Sequence, residues 1–490
     1  MLNLDYTLSP EDVSDNKDEA VERFYLQQAY CTINTWFSED QDDLFSFIAF
    51  FRNRSSEKQS VRVIWYDTQE KENAENIALF NRLNDGKIPL TNAELIKALF
   101  FNNQNDEKQI IMADRWAAIE NSLEDNEFWY FVYSENKSCK HYSTRIEYLF
   151  DLYLEKKYDP NKDYDRYETF YAFRDKFFGK TNEEKSATWE QIVGIFEKLR
   201  EWYGNRECFH RIGFLIQTGM SMLDILKIKK NKRDFTQKIK EFIKKSFPED
   251  KNLEDYSYDK CGDHRDIRNI LLLFNIESIL QNPKSCIRFS FANYAISWDI
   301  EHIRSIASEP PPLNKAQKWY RNILPYFVDC EFTLETFENK IDDIQQEIDS
   351  FEAPETKKLV QRILNCAKGE KLRENSDNLF SDIVKYCKED NLKTRHDLGN
   401  LALLDSYTNR SYKNAPFPIK RKRITDNTKN GIFTPLCTLN VFLKFYSKKS
   451  TDSLVWGDED ANQYRAAMAD LLKEYFSNSE DVSNDEKSGD

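Results

Sequence analysis

The chain has 490 residues, of which 40% are apolar and 31% are charged, and its formal net charge at pH 7 is −14. This length allows two or three domains that each bury a core, and this composition is typical of a globular protein rather than a disordered one. The sequence contains no run of 18 or more apolar residues, so it predicts no membrane-spanning helix and no membrane partner.

Two further features indicate the compartment. Residues 1–20 have neither the basic start nor the apolar centre of a secretory signal. The nine cysteines form no CxxC pair, which predicts reduced, mostly buried thiols and argues against a zinc ribbon. We therefore expect a cytoplasmic protein. Acidic residues are concentrated in residues 1–20 and 477–490, which we expect to be flexible ends.

In chain order, residues 21–285 are predicted to form a helical region with one short strand. A helix is expected over Val21–Phe37, and the β-branched and aromatic run Val61–Tyr66 is the predicted strand. Thr91 and Glu94 have the spacing of a helix capping box. Further helices are predicted at Asp114–Leu123, Thr144–Glu155, Thr188–Tyr203, Phe235–Ser246, Asp266–Leu280 and, after three prolines, about Thr333–Cys366.

Two stretches are basic although the chain as a whole is acidic. Residues 227–245 contain nine lysines and arginines against two acids, and residues 410–423 contain six with no acid. A solvated surface is the ordinary explanation of such charge runs, and contact with the phosphates of a nucleic acid is the alternative. The negative net charge of the chain therefore does not exclude a nucleic-acid partner, because these two stretches are basic.

The residues that carry chemistry are found in two segments. In the first, residues 297–309, Glu301 directly precedes His302, so an extended chain would place the two side chains on opposite faces. One of them can then ligate a cation while the other meets an attacking water. In the second, residues 396–423, Asn400 begins an apolar strand-like run and Asn409 follows where a helix is expected.

This pattern is typical of the ββα-metal (HNH-type) nuclease fold, in which a β-hairpin and one helix hold a single divalent ion. In that arrangement His302 is the general base, which takes a proton from water. Asn400 holds the hairpin and orients the imidazole of His302. Glu301 and Asn409 are the predicted ligands of Mg²⁺ or Mn²⁺, and no other cofactor is predicted.

The two segments also resemble a known family, the GmrSD-type modification-dependent restriction endonucleases of bacteria, whose C-terminal half is a divergent HNH domain. The resemblance runs from about Val21 to Phe476. It rests on WDIEHI (298–303), HDLGNLALLD (396–405), Asn409, Asn414, Phe417, Lys420 and, upstream, ALFNRLNDGKIPLTNAELIKALF (78–100). It implies a metal-dependent endonuclease that hydrolyses phosphodiester bonds of DNA in anti-phage restriction of modified DNA.

The sequence departs from the family pattern in three ways. Family members normally open with a sulfiredoxin/ParB-like module carrying an Asp-Gly-Gln-Gln-Arg motif, which is not found in this sequence. Two explanations are open: the module is supplied by a separate sulfiredoxin/ParB-like subunit, which would be a partner of this chain, or it has been lost by truncation. Residues 304–395 form an insertion that separates the two segments, and Glu301 stands in place of the commoner aspartate.

The predicted fold is thus mainly α, with a helical domain at 21–285 followed by an HNH-type nuclease domain at 286–476. Lys413, Lys420 and Arg421 are predicted to contact nucleic acid, with a solvated surface as the alternative. His396 is also predicted to contact nucleic acid, either as part of the site or only through the substrate phosphate. His210 and His264 are interpreted as structural. Three functions stay open. The chain is an endonuclease, a catalytically silent DNA-binding or regulatory subunit of a split restriction system, or a helical scaffold that becomes an enzyme only together with the missing module. DNA versus RNA is also open.

Overall fold

The computed structural model describes residues 28–35, 90–102, 106–228, 231–296, 298–306, 310–330, 332–370, 372–390, 395–406, 408, 415–447 and 455–476. The chain divides into two units, Met1–Pro89 and Leu90–Asp490. In the first unit residues 28–35 are helical, within the predicted helix Val21–Phe37. The predicted strand Val61–Tyr66 lies outside the described residues.

The second unit is mainly helical, as the sequence predicts. Its helices are α1 Asn92–Phe101, α2 Asp106–Glu124, α3 Asn126–Val132, α4 Ile146–Tyr153, α5 Glu168–Phe177, α6 Asn182–Gly204, α7 Arg206–Thr218, α8 Met222–Leu226, α9 Lys232–Lys245, α10 His264–Leu280, α11 Phe291–Ile296, α12 Leu313–Phe327, α13 Ile341–Asp349, α14 Pro354–Lys368, α15 Leu372–Tyr386, α16 Phe417–Lys429, α17 Leu436–Phe442 and α18 Asp458–Phe476. Two strands, β1 Trp298–His302 and β2 Leu401–Asp405, form an antiparallel sheet.

Side-chain caps set where two of these helices begin. The predicted capping box is present at α1, where the Thr91 N–H donates to Glu94 at 2.7 Å and the Glu94 N–H donates to the Thr91 hydroxyl at 3.2 Å. Thr181 and Glu184 form a second box. Because each box satisfies backbone N–H groups that a helix start leaves free, α6 begins at Asn182 rather than at the predicted Thr188.

Aromatic side chains form the core of the N-terminal helices. The rings of Trp116 and Trp189 stack with their centroids 5.3 Å apart, and Phe150 lies 5.5 Å from Trp116. Phe100 meets Trp189 edge to face at 5.6 Å. Each of these side chains is buried, so the core joins α1, α2, α4 and α6. Large buried rings of this kind dominate the apolar area that a core removes from water.

Helix α10 connects this helical region to the sheet. Most residues of this helix are buried, among them Ile267, Leu271 and Phe274. The helix contacts α7 and also both β1 and β2. A helix that is apolar on almost all sides requires packing partners all around it. The predicted domain boundary at 285/286 therefore lies within one compact unit.

A buried ion pair fastens the C-terminal helix to the same region. The guanidinium of Arg211 on α7 makes two hydrogen bonds to the carboxylate of Glu277 on α10, at 2.9 and 3.0 Å. The hydroxyl of Tyr475 on α18 donates to the same carboxylate at 2.7 Å. Because the partners satisfy one another, the charges are tolerated in the interior. These three side chains link α7, α10 and α18.

Four helices, α12 to α15, lie between the two strands in sequence. The sequence predicts one helical stretch over about Thr333–Cys366, and the structure divides it. Helix α13 ends at Asp349 and α14 starts at Pro354. Proline has no backbone N–H to donate within a helix and fits its first turn, so it begins a new helix instead of continuing the previous one.

All nine cysteines are thiols that take part in no disulfide bond. Four are buried, at Cys31, Cys366, Cys387 and Cys437, whereas Cys139, Cys261 and Cys286 are exposed. The expectation of mostly buried thiols is therefore met by fewer than half of them. In the part of the chain that the structure describes, no helix is both long enough and apolar enough to cross a bilayer.

Gly399 allows a close approach between a short 3-10 helix, Leu398–Asn400, and helix α18. A Cβ atom at this glycine would lie 2.4 Å from the backbone oxygen of Ala461. We expect Gly399→Ala to lower the free energy of unfolding by roughly 1–3 kcal/mol, because backbone atoms must move to admit the methyl group. Chemical denaturation of purified protein measures the change.

Gly194→Ala is the matched control. Gly194 lies inside α6, and a Cβ atom there would meet nothing within 4 Å. This substitution is expected to raise stability by roughly 0.5–1 kcal/mol, since alanine favours a helix interior over glycine. Equal effects of the two substitutions would contradict the steric explanation for Gly399.

Candidate functional site

The two predicted segments meet in the antiparallel sheet in spite of the long insertion between them. Trp298 pairs with Asp405 at one end, and His302 pairs with Leu401 at the other. The apolar side chains of β2 are buried, and the hydroxyl of Thr438 on α17 donates to the Leu403 oxygen at 2.6 Å. The sheet therefore brings the end of β1 beside the start of β2, where His302 and Asn400 were predicted to act.

Asn400 fastens the chain where it leaves β1. Its side chain is fully buried, and its Oδ1 accepts the Arg304 N–H at 2.9 Å. Its Nδ2 donates to the backbone oxygens of Arg304 and Arg395, each at 3.1 Å. Its backbone oxygen accepts the Ile303 N–H at 2.9 Å. One asparagine thus fixes the backbone directly after His302.

His302 lies at the end of β1 with its Nε2 buried. Among the described residues, no group forms a hydrogen bond with this nitrogen. Burial, helped by the positive charge of Lys420 and by the neighbouring His396 and His264, lowers the pKa of His302 to about 3. The imidazole is therefore neutral at physiological pH, which is the protonation state of a general base.

Glu301, the predicted metal ligand, faces Lys420 of α16. The Lys420 ammonium forms an ion pair with the Glu301 carboxylate and donates to the His302 backbone oxygen at 2.6 Å. Both side chains are buried, and only 1% of Lys420 is exposed to solvent. Burial raises the pKa of Glu301, and the charge of Lys420 opposes that rise. Lys420 thus holds the strand, and its ammonium is not presented to solvent or to a phosphate.

The other predicted nucleic-acid contacts have different surroundings. The Nδ1 of half-buried His396 is itself buried and has no hydrogen-bond partner among the described residues. The Nε of Arg421 donates to the backbone oxygen of Phe442 at 2.9 Å. Lys413 lies outside the described residues. For all three residues, contact with nucleic acid stays a prediction.

The described residues do not by themselves supply a ligand set for a metal. Within the described ranges, no group of three or more histidine, cysteine, aspartate or glutamate side chains is arranged to hold an ion. Ser406 and Thr408, directly after β2, are helical, but the second predicted ligand, Asn409, lies outside the described residues. The carboxylate of the first, Glu301, is paired with Lys420.

Glu389 is a buried carboxyl that the sequence did not indicate. Its Oε1 accepts the Phe417 N–H at 2.7 Å. Burial raises the pKa of Glu389 to about 7, against the opposing effects of that hydrogen bond and of the charges of Lys420 and Arg304. The carboxyl is thus protonated in the folded chain at a pH where an exposed glutamate is ionised.

This shift predicts how stability depends on pH. Because the folded-state pKa lies above the unfolded value of about 4.5, the contribution of Glu389 is fully present below pH 4.5 and is lost as the pH rises through 7. Relative to wild type, Glu389→Gln is expected to gain on the order of 2–3 kcal/mol of stability between pH 4.5 and 8, since glutamine keeps an acceptor and never ionises. Denaturation of both proteins at a series of pH values measures this, and parallel curves would contradict it.

Two further residues of the site were missed by sequence reasoning. Tyr258 and His264 lie next to His302, although both belong to the helical region. His264 was interpreted as structural, and no motif surrounds Tyr258. His210, interpreted in the same way, is a fully buried side chain whose Nε2 accepts the Phe289 N–H at 3.1 Å. The difference between the two histidines lies in their position in the fold, since His264 packs beside Tyr258 and His302 and His210 does not.

These features define a mainly helical protein with a two-stranded hairpin that carries a neutral histidine at its end. Residues 385–471 match the family model of the GmrSD restriction endonucleases, C-terminal domain. Within this range the match confirms the family resemblance, and the description of the family suggests a restriction endonuclease role, with DNA as the substrate. The matched range includes β2, Asn400 and Lys420, and β1 precedes it. No curated protein and no solved structure matches the chain.

Proposed function

We propose that the chain is an HNH-type, metal-dependent endonuclease that hydrolyses DNA phosphodiester bonds in bacterial anti-phage restriction of modified DNA. The observation that carries the proposal is the neutral imidazole of His302, whose Nε2 has no partner among the described residues. It lies at the end of a strand that Asn400 fixes to its neighbour. The nitrogen that would accept the proton is therefore not engaged by any described group.

The residues of the chain divide the chemistry as follows. His302 takes a proton from the water that attacks the phosphorus, which makes the water a better nucleophile. Asn400 keeps the backbone after His302 in place, so the imidazole does not drift from the scissile phosphate. Glu301 and Asn409 are the proposed ligands of Mg²⁺ or Mn²⁺, which when bound would stabilise charge on the phosphate oxygens.

One observation favours the second candidate, a catalytically silent DNA-binding or regulatory subunit. The Glu301 carboxylate is already paired with Lys420. If that pair persists when DNA and metal are supplied, the proposed metal position lacks a ligand. Both candidates bind DNA, but only the endonuclease cleaves it, so one cleavage assay distinguishes them.

That assay incubates the full chain with modified and unmodified plasmid DNA over a range of Mg²⁺ and Mn²⁺ concentrations. We expect cleavage with either metal, and loss of cleavage when EDTA removes it. Asn409→Ala is expected to shift the metal titration to higher concentration. DNA binding without cleavage at every metal concentration would favour the silent subunit, and cleavage unaffected by EDTA would contradict the metal requirement.

The proposal includes a protein partner as well. We propose that a sulfiredoxin/ParB-like polypeptide carrying the Asp-Gly-Gln-Gln-Arg motif binds near residues 60–100 and places cleavage under nucleotide control. Co-purification of the two polypeptides, followed by the plasmid assay with and without nucleotide, tests it. Full nucleotide-stimulated cleavage by this chain alone would contradict it.

A further inference from the structure

Three of the five histidines of the chain gather around one tyrosine, Tyr258. His264 stacks on the tyrosine ring with centroids 4.3 Å apart and planes 18° apart. His302 meets the same ring edge to face at 4.6 Å and 85°. His396 in turn lies 5.8 Å from His302 with the two rings perpendicular. These residues come from three separate parts of the sequence.

Tyr258 is held in place through its own backbone. Its N–H donates to the His396 oxygen at 2.8 Å, and its oxygen lies 2.6 Å from Nε2 of His264, which donates to it. Ser257 forms an isolated bridge with Asp397 beside it. The segment before α10 is therefore attached to the segment before β2. This attachment places the Tyr258 ring beside His302.

The orientation of the His302 ring depends on this packing. Its Nε2 has no hydrogen-bond partner among the described residues, so no bond at that atom sets the ring angle. Asn400 holds the backbone at Ile303 and Arg304, which leaves the side-chain torsions of His302 unconstrained by it. The ring of Tyr258 is an aromatic surface that restricts those torsions, through an edge-to-face contact of the favoured geometry.

We propose that Tyr258 and His264, which lie outside the matched family domain, are positioning residues of the nuclease centre. Tyr258 sets the angle of the His302 imidazole through its ring, and His264 fixes Tyr258 by stacking and by one hydrogen bond. The inference rests on the proposed nuclease function. It assigns part of the active centre to the helical region.

The test compares variants that keep or remove the ring of Tyr258. Tyr258→Phe retains the ring and is expected to cleave DNA at nearly the wild-type rate. Tyr258→Leu removes it and is expected to lower kcat roughly 10- to 100-fold, because a small misplacement of a reacting group has an effect of that order. KM is expected to change little, since neither variant alters the charge presented to DNA. Rescue by phenylalanine identifies the ring as the active feature.

A second pair of variants tests the support from His264. His264→Gln keeps a donor for the Tyr258 oxygen and is expected to retain more activity than His264→Phe, which keeps only the stacking. Tyr171→Leu on α5 is the control for removal of a partly exposed tyrosine. Melting temperatures of all variants accompany the kinetics, so a variant that does not fold is recognised and the other pair decides.

The outcomes separate this inference from the function on which it rests. If wild type cleaves, His302→Ala does not, and Tyr258→Leu cleaves like wild type, the positioning role is wrong and the nuclease stands. If Tyr258→Phe loses as much activity as Tyr258→Leu, the hydroxyl acts and the proposed role of the ring is overturned. If wild type binds DNA but does not cleave it, the proposed function itself fails.

Discussion

Replacement of His302 by alanine is expected to lower the rate of DNA cleavage by roughly 10²- to 10⁴-fold, the contribution typical of a general base. The imidazole takes part in the transition state and contributes little to binding of the ground state, so the affinity for DNA should be unchanged. Some stability should also be lost, because the ring is partly buried and packs against Tyr258. Single-turnover cleavage, DNA binding and thermal unfolding of the same preparation measure the three quantities.

His141→Ala is the matched control for His302→Ala. His141 is exposed and lies between α3 and α4, so its loss should leave cleavage at the wild-type rate. A His302→Ala protein that is folded and cleaves as fast as wild type would remove His302 from the mechanism. A loss of DNA binding in parallel with cleavage would instead make His302 a binding residue.

Asn400→Ala is expected to have the largest effect on stability, and to abolish cleavage with it. The substitution removes three hydrogen bonds between the Asn400 amide and the backbone, one from the Arg304 N–H and two to the oxygens of Arg304 and Arg395. Each lost hydrogen bond costs about 0.5–1.5 kcal/mol, so the free energy of unfolding should fall by on the order of 3 kcal/mol. Asn400→Asp should also destabilise, because it places a carboxylate against two carbonyl oxygens.

Asn275→Ala separates the effect of lost stability from the effect on the site. Asn275 is also buried, donates to the Leu271 oxygen at 2.8 Å and accepts the Cys437 N–H at 2.8 Å. Its loss should destabilise the protein by a similar amount while the folded fraction still cleaves at the wild-type rate. Equal activity per folded molecule for the two variants would contradict the special position of Asn400.

Local sequence signals were sufficient for the elements whose structure depends on neighbouring residues. The capping box at Thr91 and Glu94 is predictable because both partners lie within one turn. Strand β2 is predictable from its apolar run, and Asn400 stands directly before that run. The family match covers this same part of the chain.

The remaining features depend on contacts between distant residues, which no local pattern contains. Lys420 stands in a basic run that is typical of a solvated surface, yet it is buried against Glu301. A charged side chain is tolerated in the interior when an opposite charge pairs with it. The sequence does not show that Glu301 is this partner, because the pairing depends on the packing of α16 beside β1. The positions of Tyr258 and His264 are not predictable from the sequence for the same reason. Tyr258 packs on His302 and His264 stacks on Tyr258, and both contacts join distant parts of the chain.

The separation of the two strands in sequence has a consequence for the order in which the protein folds. β1 and β2 pair although residues 303–400 lie between them, so their pairing closes a long loop and must overcome its entropy. Helices α12 to α15 are local structures that form earlier and shorten that loop. During synthesis β1 leaves the ribosome well before β2, and Tyr475 reaches Glu277 only when the last helix is complete. The proposed nuclease centre is therefore among the last parts to assemble, and a nascent chain that ends before β2 lacks it.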